Sequence, residues 1–346
     1  MPKILGFTDV HLGKRGNSRT HNQDVLDFLA WALEVGREKG CEYACFLGDW
    51  HDDRTKLDAR TLNYSQKALE LINDQDYLKK TWFIVGNHDL FYRHHRNTHS
   101  VPHAGPLNKI QVIREPHQED DLLFLPYLFP HEYDKHLKGT NAKFVFGHLE
   151  LKGFIITGSS NYMMPSGPEA ESFSGPRMIL SGHFHKRQAR GNIVYIGNAF
   201  PMDFGDVGDT ARGVAILDTD AQEDNDLIEF VDWPDCPQYI RCDLSAVLED
   251  SSVLAKKARV RCTMDINVTY EEAAYIKEKF MTKYELREFQ LEDPQMEEQR
   301  LALGDDELAM KEVKVGNMDD VLLEMLEEVT APGIDNDVLQ RIYREL

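Results

Sequence analysis

Five short apolar runs recur through the first two thirds of the chain: KILGF (3–7), YACFL (43–47), TWFIV (81–85), KFVF (143–146) and RMIL (177–180). Such short, almost unbroken hydrophobic runs are the mark of strands buried on both faces. Residues 20–39 instead space their apolar side chains helically, placing Val25, Phe28, Leu29, Ala32 and Leu33 on one face. Residues 60–73 do the same with Leu62, Leu69 and Ile72. The alternation predicts an α/β fold. Three further strands, IVYI (193–196), GVAIL (213–217) and LIEFV (227–231), come next with little helix between them. DWPDCP (232–237) predicts a boundary, and 238–290 a smaller α+β unit ending in the helical TYEEAAYIKEKFMTKY (269–284). No period repeats.

The C-terminal pattern differs. MDDVLLEMLEEV (318–329) aligns Val321, Leu322, Met325, Leu326 and Val329, and IDNDVLQRIYREL (334–346) aligns Val338, Leu339, Ile342, Tyr343 and Leu346. Joined by TAPG, these predict a helical hairpin behind a charged linker at 291–317. The formal net charge of −20 excludes a protein that coats nucleic acid by bulk charge. Residues 291–346 carry 16 acidic against 5 basic side chains, so this tail supplies −11 of the total. The remaining residues are only mildly acidic, and basic loops there can still meet phosphates. At 346 residues the chain predicts roughly two domains. The five cysteines form no CxxC, which predicts reduced thiols in the cytoplasm and no zinc knuckle. No run approaches a membrane span, and the N-terminus lacks a signal-peptide pattern.

The chemistry sits immediately after the strands. TDVH gives Asp9 and His11, GDWHDD gives Asp49 and Asp52, GNHD gives Asn87 and His88, GH gives His148, and SGHFH gives His183 and His185. Each motif alone is close to background; five in order at strand ends are not. Ligands of open α/β sheets bind at the carboxyl ends of strands. Oxygen and nitrogen donors without cysteine suit divalent metals such as Mn²⁺ rather than a structural zinc.

This ordered set resembles the calcineurin-like metallophosphoesterases. The resemblance implies a sandwich of two packed sheets flanked by helices. It implies one metal on Asp9, His11, Asp49 and His185, and a second on Asp49, Asn87, His148 and His183. It also implies His88 as the group that stabilises the phosphate and protonates the leaving oxygen, supported by the Asp52 carboxylate. Repair nucleases of the superfamily often carry His where Asp52 stands. Asp89 is expected to anchor its own loop. Beyond the motifs, GHLELKGF (147–154), YIGNAF (195–200) and ARGVAILDTD (211–220) resemble the SbcD family, especially its phage members. These are nuclease subunits of DNA double-strand-break processing complexes.

That resemblance implies a nuclease domain at 1–235, a small α+β DNA-capping domain at 236–290, the linker at 291–317, and at 318–346 a C-terminal helical hairpin. The hairpin would bind a coiled-coil SbcC-type ATPase through Val321, Leu322, Met325, Leu326, Val338, Leu339, Ile342 and Tyr343. A homodimer within a heterotetramer is implied, without membrane association, in a bacterial or phage-infected cytoplasm. Basic and aromatic residues beside the motifs are candidates for DNA contact: Lys14, Arg15, Arg19, Arg54, Tyr92, Arg93, Arg96, Lys186 and Arg187. The expected activity is a two-metal DNA exonuclease or endonuclease preferring Mn²⁺ over Mg²⁺, on double-stranded ends or single strands. The alternatives are a small-molecule phosphodiesterase or phosphatase, and a non-catalytic scaffold tethering DNA ends.

Overall fold

The computed structural model describes residues 3–156 and 162–292. The linker and hairpin expected at 291–346 lie outside the described residues beyond position 292. The strands in chain order are β1 (Lys3–Phe7), β2 (Cys41–Phe46), β3 (Lys80–Ile84), β4 (Ile110–Ile113), β5 (His117–Glu119), β6 (Leu122–Leu125), β7 (Phe144–His148), β8 (Met178–Gly182), β9 (Gln188–Arg190), β10 (Ile193–Tyr195), β11 (Gly213–Asp218), β12 (Ile228–Asp232), β13 (Tyr239–Asp243), β14 (Arg259–Thr263) and β15 (Glu288–Glu292). They build two six-stranded sheets, β12-β11-β1-β2-β3-β4 and β5-β6-β7-β8-β10-β9, and a third of order β13-β14-β15.

Each large sheet has a parallel centre and antiparallel additions. β1 to β4 run parallel, β11 lies antiparallel beside β1, and β12 is antiparallel to β11 at the edge. β6, β7, β8 and β10 run parallel, with β5 and β9 antiparallel at the edges. The two-residue period of a strand divides the buried side chains. Ile4, Cys45, Trp82 and Ile84 face one way and pack with Phe124, Phe144, Phe146 and Leu180 of the second sheet. Leu5, Phe7, Phe46 and Phe83 face the other way, onto Val25, Phe28, Leu29, Leu69 and Ile72. Those residues come from helices Arg19–Glu38 and Ala59–Asn73. The outer face of the second sheet buries Val145, Ile179 and Tyr195 against Tyr133, Phe154 and Phe173. Strands with apolar neighbours on both sides explain the unbroken runs in the sequence.

Helix Arg19–Glu38 begins where the Ser18 hydroxyl accepts the His21 amide, and helix Ala59–Asn73 where Asp58 accepts the Thr61 amide. Ser and Asp are favoured at such positions because they satisfy otherwise orphaned donors. The described residues divide into two compact units: 3–240 with Leu254–Val260 and Phe280–Glu288, and a second of Arg241–Val253, Arg261–Lys279 and 289–292. The first unit thus runs on past DWPDCP. In the described part of the second, Leu248, Val253, Ile266, Tyr270 and Tyr275 are exposed. No described helix is long and apolar enough to cross a membrane.

Candidate metal centre

The carboxyl ends of β1, β2, β3, β7 and β8 deliver every motif to one region of the first unit. Four of the seven candidate ligands sit at positive φ: Asp9 at 49°, His11 at 46°, Asp49 at 61° and His183 at 92°. Non-glycine residues seldom occupy this region, and each instance costs of order 1–3 kcal/mol. The strain turns side chains inward as each strand ends. Gly86 is required by a close approach, since a Cβ there would lie 2.2 Å from Asp49 Oδ1.

One buried carboxylate ties two of these turns together. Asp89 accepts the backbone amides of Asp49, Trp50 and His51 after β2, and that of Gly86 after β3, at 3.0–3.1 Å. Asp89 therefore anchors the Asp49 turn as well as its own loop. His51 points away, its ring nitrogens meeting Ser100 at 2.8 Å and Ser65 at 3.1 Å.

The candidate ligands fall into two clusters, and a third donor group, His11, Asp52 and His88, overlaps the first. In the first are Asp9, His11 and His185. His11 Nε2 lies 3.3 Å from His185 Nε2 and 3.7 Å from Asp9 Oδ1. In the second are Asp49, His148 and His183. Asn87 Oδ1 joins it at 2.9 Å from both His148 Nε2 and His183 Nδ1. Asp49 Oδ2 stands between them, 3.2 Å from His148 Nε2 and 3.9 Å from His11 Nε2. Asp9, His11 and His185 thus lie together, and Asp49, Asn87, His148 and His183 lie together beside them.

The surroundings hold these atoms in position. His148 Nδ1 donates to the Leu47 carbonyl at 2.7 Å, which leaves Nε2 facing the cluster. Asp9 Oδ2 accepts from the Thr8 hydroxyl at 2.6 Å and the His183 amide at 3.1 Å. Asp9 Oδ1 is buried and accepts no hydrogen bond among the described residues. A buried carboxylate oxygen without a donor calls for a cation.

Electrostatics point the same way. Burial opposes charge on His11, yet Asp52 and Asp9 raise its pKa to about 10. Burial opposes charge on His148 as well, and Asp49 raises it to about 9. The buried carboxylates draw positive charge into the site, and the residues present fit a pair of hard or borderline divalent cations. Both histidines carry a proton at pH 7 and must lose it to become ligands. Metal binding is therefore expected to release protons, with apparent affinity falling as pH drops below about 9. Calorimetric titration in buffers of differing ionisation enthalpy checks this, and uptake without proton release would contradict it.

The expected pairing of the Asp52 carboxylate with His88 needs correction. Asp52 Oδ1 lies 3.3 Å from His11 Nδ1 and 3.6 Å from Lys14 Nζ. His88 Nδ1 meets the Asp52 backbone carbonyl at 2.7 Å. Burial and His11 outweigh Asp49, so the His88 pKa is lowered rather than raised. The backbone reach between Asp52 and His88 is satisfied by the main chain, and the carboxylate turns back to a ligand ring. The His88 amide donates to Asp49 Oδ1 at 2.8 Å, tying its position to the shared carboxylate.

The basic candidates fare unequally. Arg96 is 7% exposed, bound to Glu132 and the Tyr127 carbonyl and stacked over Phe129; its guanidinium is committed to the interior. Arg187 pairs with Asp232 at 2.7 Å and lies over Phe230. Arg15 meets Glu288 and Tyr239 at 3.4 Å. Lys14 reaches Asp203 at 3.7 Å as well as Asp52, and Lys186 is half-buried. Arg19, Tyr92 and Arg93 are exposed and Arg54 is half-buried. The hairpin residues from Val321 to Tyr343 lie outside the described residues.

Sequence reading passed over Glu150, although it stands two residues after His148. Its Oε2 lies 3.3 Å from His183 Nε2, on the far side of the ring from Asn87. Such a carboxylate fixes the tautomer and orientation of a ligand histidine, and its loss typically weakens metal binding ~10–100-fold. Glu150→Gln is expected to weaken the second cluster by about tenfold or more while sparing the first. Two-site metal titration reads this directly, and unchanged affinities would remove Glu150 from the site.

A sheet sandwich carrying two oxygen–nitrogen donor clusters around a shared carboxylate is the framework of a metallophosphoesterase. The calcineurin-like phosphoesterase family model matches residues 2–187, and the chain belongs to that family. Exonuclease subunit 1 of Enterobacteria phage T4 is 27% identical over 242 residues, covering 67% of this chain and 69% of that protein. The solved structure of Pseudomonas putida nuclease MPE aligns at 22% identity over 55% of this chain and 66% of its own, with a TM-score of 0.29. That superposition is too loose to bear on the fold.

Proposed function

We propose that this phosphoesterase is the Mn²⁺-preferring DNA nuclease subunit of an SbcC–SbcD-type complex, working in the bacterial or phage-infected cytoplasm. The observation that supports it best is Asp49 Oδ2 set between His11 and His148, with His88 fixed beside both clusters. Similarity to a phage protein named an exonuclease subunit supports DNA as substrate and a partner subunit. The expected partner is a coiled-coil ATPase bound by the 318–346 hairpin, each protein present twice.

Asp9, His11, Asp49 and His185 would hold one cation, and Asp49, Asn87, His148 and His183 the other. When bound, two divalent ions supply Lewis acidity and neutralise the charge of a phosphoryl group undergoing in-line displacement. Asp52 and Glu150 keep His11 and His183 oriented. His88 has Nδ1 committed to the Asp52 carbonyl, so its Nε2 is the atom that exchanges a proton. Burial and the neighbouring His11 lower the pKa of the ring at rest. An arriving phosphodiester adds negative charge beside it and favours the protonated form, which then protonates the leaving oxygen.

Hydrolysis of linear duplex DNA, single-stranded DNA and a chromogenic phosphodiester, each with and without Mn²⁺ and the ATPase, tests the proposal. DNA cleavage that needs metal and is stimulated by the ATPase is expected. Cleavage of the chromogenic ester alone would favour a small-molecule phosphodiesterase. DNA-end binding without any hydrolysis would favour a scaffold.

A further inference from the structure

A cavity of about 300 Å³ opens beside Asn87, at the edge of the second donor cluster. Leu90, Tyr92, Tyr127 and Phe129 form its apolar lining, and Arg54 and Arg93 supply its cations. The cavity is contiguous with the ligand histidines. The Tyr127 ring centroid lies 6.0 Å from that of His183 and 6.4 Å from that of His148. Tyr92 is 44% exposed at the rim.

Among the described residues both arginines lack a carboxylate partner, as do the exposed Arg19 and Arg114, but these two meet at one cavity. Elsewhere Arg96 is bound to Glu132, Arg187 to Asp232, and Arg212 to Asp206 and Asp209. In a chain of 59 acidic and 39 basic residues, two such guanidiniums at one cavity call for an anion from outside. Aromatic faces next to them call for a flat apolar group. The volume is at the lower end for small-molecule sites, enough for one nucleotide and far too small for a duplex.

We propose that this cavity takes a single unpaired nucleotide of the substrate strand. Its base lies against Tyr92 and Tyr127, its own phosphate rests on Arg54 and Arg93, and the adjoining phosphodiester lies on the Asp49 cluster. The inference rests on the nuclease reading and adds a requirement to it: the base next to the cut must leave its pair. Stacking of this kind tolerates any base, so the cavity selects for strand separation rather than sequence.

The test uses the full chain with Mn²⁺ and a series of end-labelled single-stranded oligonucleotides of one sequence. Each carries one tetrahydrofuran abasic residue, moved by a single position along the series. At one position relative to the cut, loss of the base is expected to slow cleavage roughly ten- to a hundredfold, the usual worth of a stacked base. Tyr92→Ala and Arg93→Gln are each expected to shrink that contrast, measured within the variant, to less than about threefold. Equal cleavage of every abasic substrate by the unaltered protein would overturn the cavity and leave the nuclease reading intact. If no oligonucleotide is cut, intact or abasic, both fall.

Discussion

Asp49→Asn is expected to remove phosphodiester cleavage altogether while the sandwich stays folded. The Asp49 side chain is 2% exposed, and one of its oxygens already accepts the His88 amide. Asn has nearly the same shape and can keep that acceptor, so packing survives. The loss is the negative charge between His11 and His148. Both clusters lose the carboxylate they share, and neither can hold a cation in register with the other. Metal titration should show both binding steps weakened, circular dichroism should be unchanged, and no hydrolysis should be detectable at saturating Mn²⁺. Near-normal turnover in a folded variant would dissolve the assignment of two ions around one shared ligand.

His88→Ala is expected to behave in the opposite manner, keeping both ions and losing rate. The ring belongs to neither candidate-ligand cluster, grouping instead with His11 and Asp52, and its Nδ1 is held by a backbone carbonyl. Removing a positioned proton donor should cost ~10²–10⁴-fold in turnover. Because the role is confined to the leaving group, a substrate with a far more acidic leaving alcohol should lose less. Comparing a nitrophenyl ester with DNA measures that difference, and calorimetry counts the ions. Loss of one binding step would make His88 a ligand instead.

Much of the site was legible because its chemistry is local. A strand end followed at once by Asp, Asn or His can be read from a few residues, and Gly86 and Gly48 mark where backbones must approach. The helices at Arg19–Glu38 and Ala59–Asn73 arise from apolar spacing that the structure keeps, whereas Tyr270–Lys283 is helical with none of its residues buried. Other features were illegible because they depend on long-range pairing. LLFL at 122–125 is as long and as apolar as KFVF and RMIL, but no Asp, Asn or His motif follows it to mark it, and it becomes β6 by joining β7. Nothing local separates the motifs of β7 and β8 from those of β1 to β3, yet they belong to different sheets. The carboxylate of Asp52 could be placed near His88 but not aimed, since either the side chain or the carbonyl spans that gap. Arg96 reads as one more basic loop residue until its burial against Glu132 is known.

That the candidate ligands come from two sheets has a thermodynamic consequence. Asp9, His11, Asp49 and Asn87 come after strands of the first, whereas His148, His183 and His185 belong to or come after strands of the second. An ion held by both sets acts as a rivet through the inter-sheet layer of Phe124, Phe144 and Phe146. A ligand bound only by the native state stabilises it by mass action, by about 2.7 kcal/mol at a hundredfold excess over its dissociation constant. Metal supply would then set heat tolerance as well as activity: the metal-poor protein would stay folded but melt at a lower temperature.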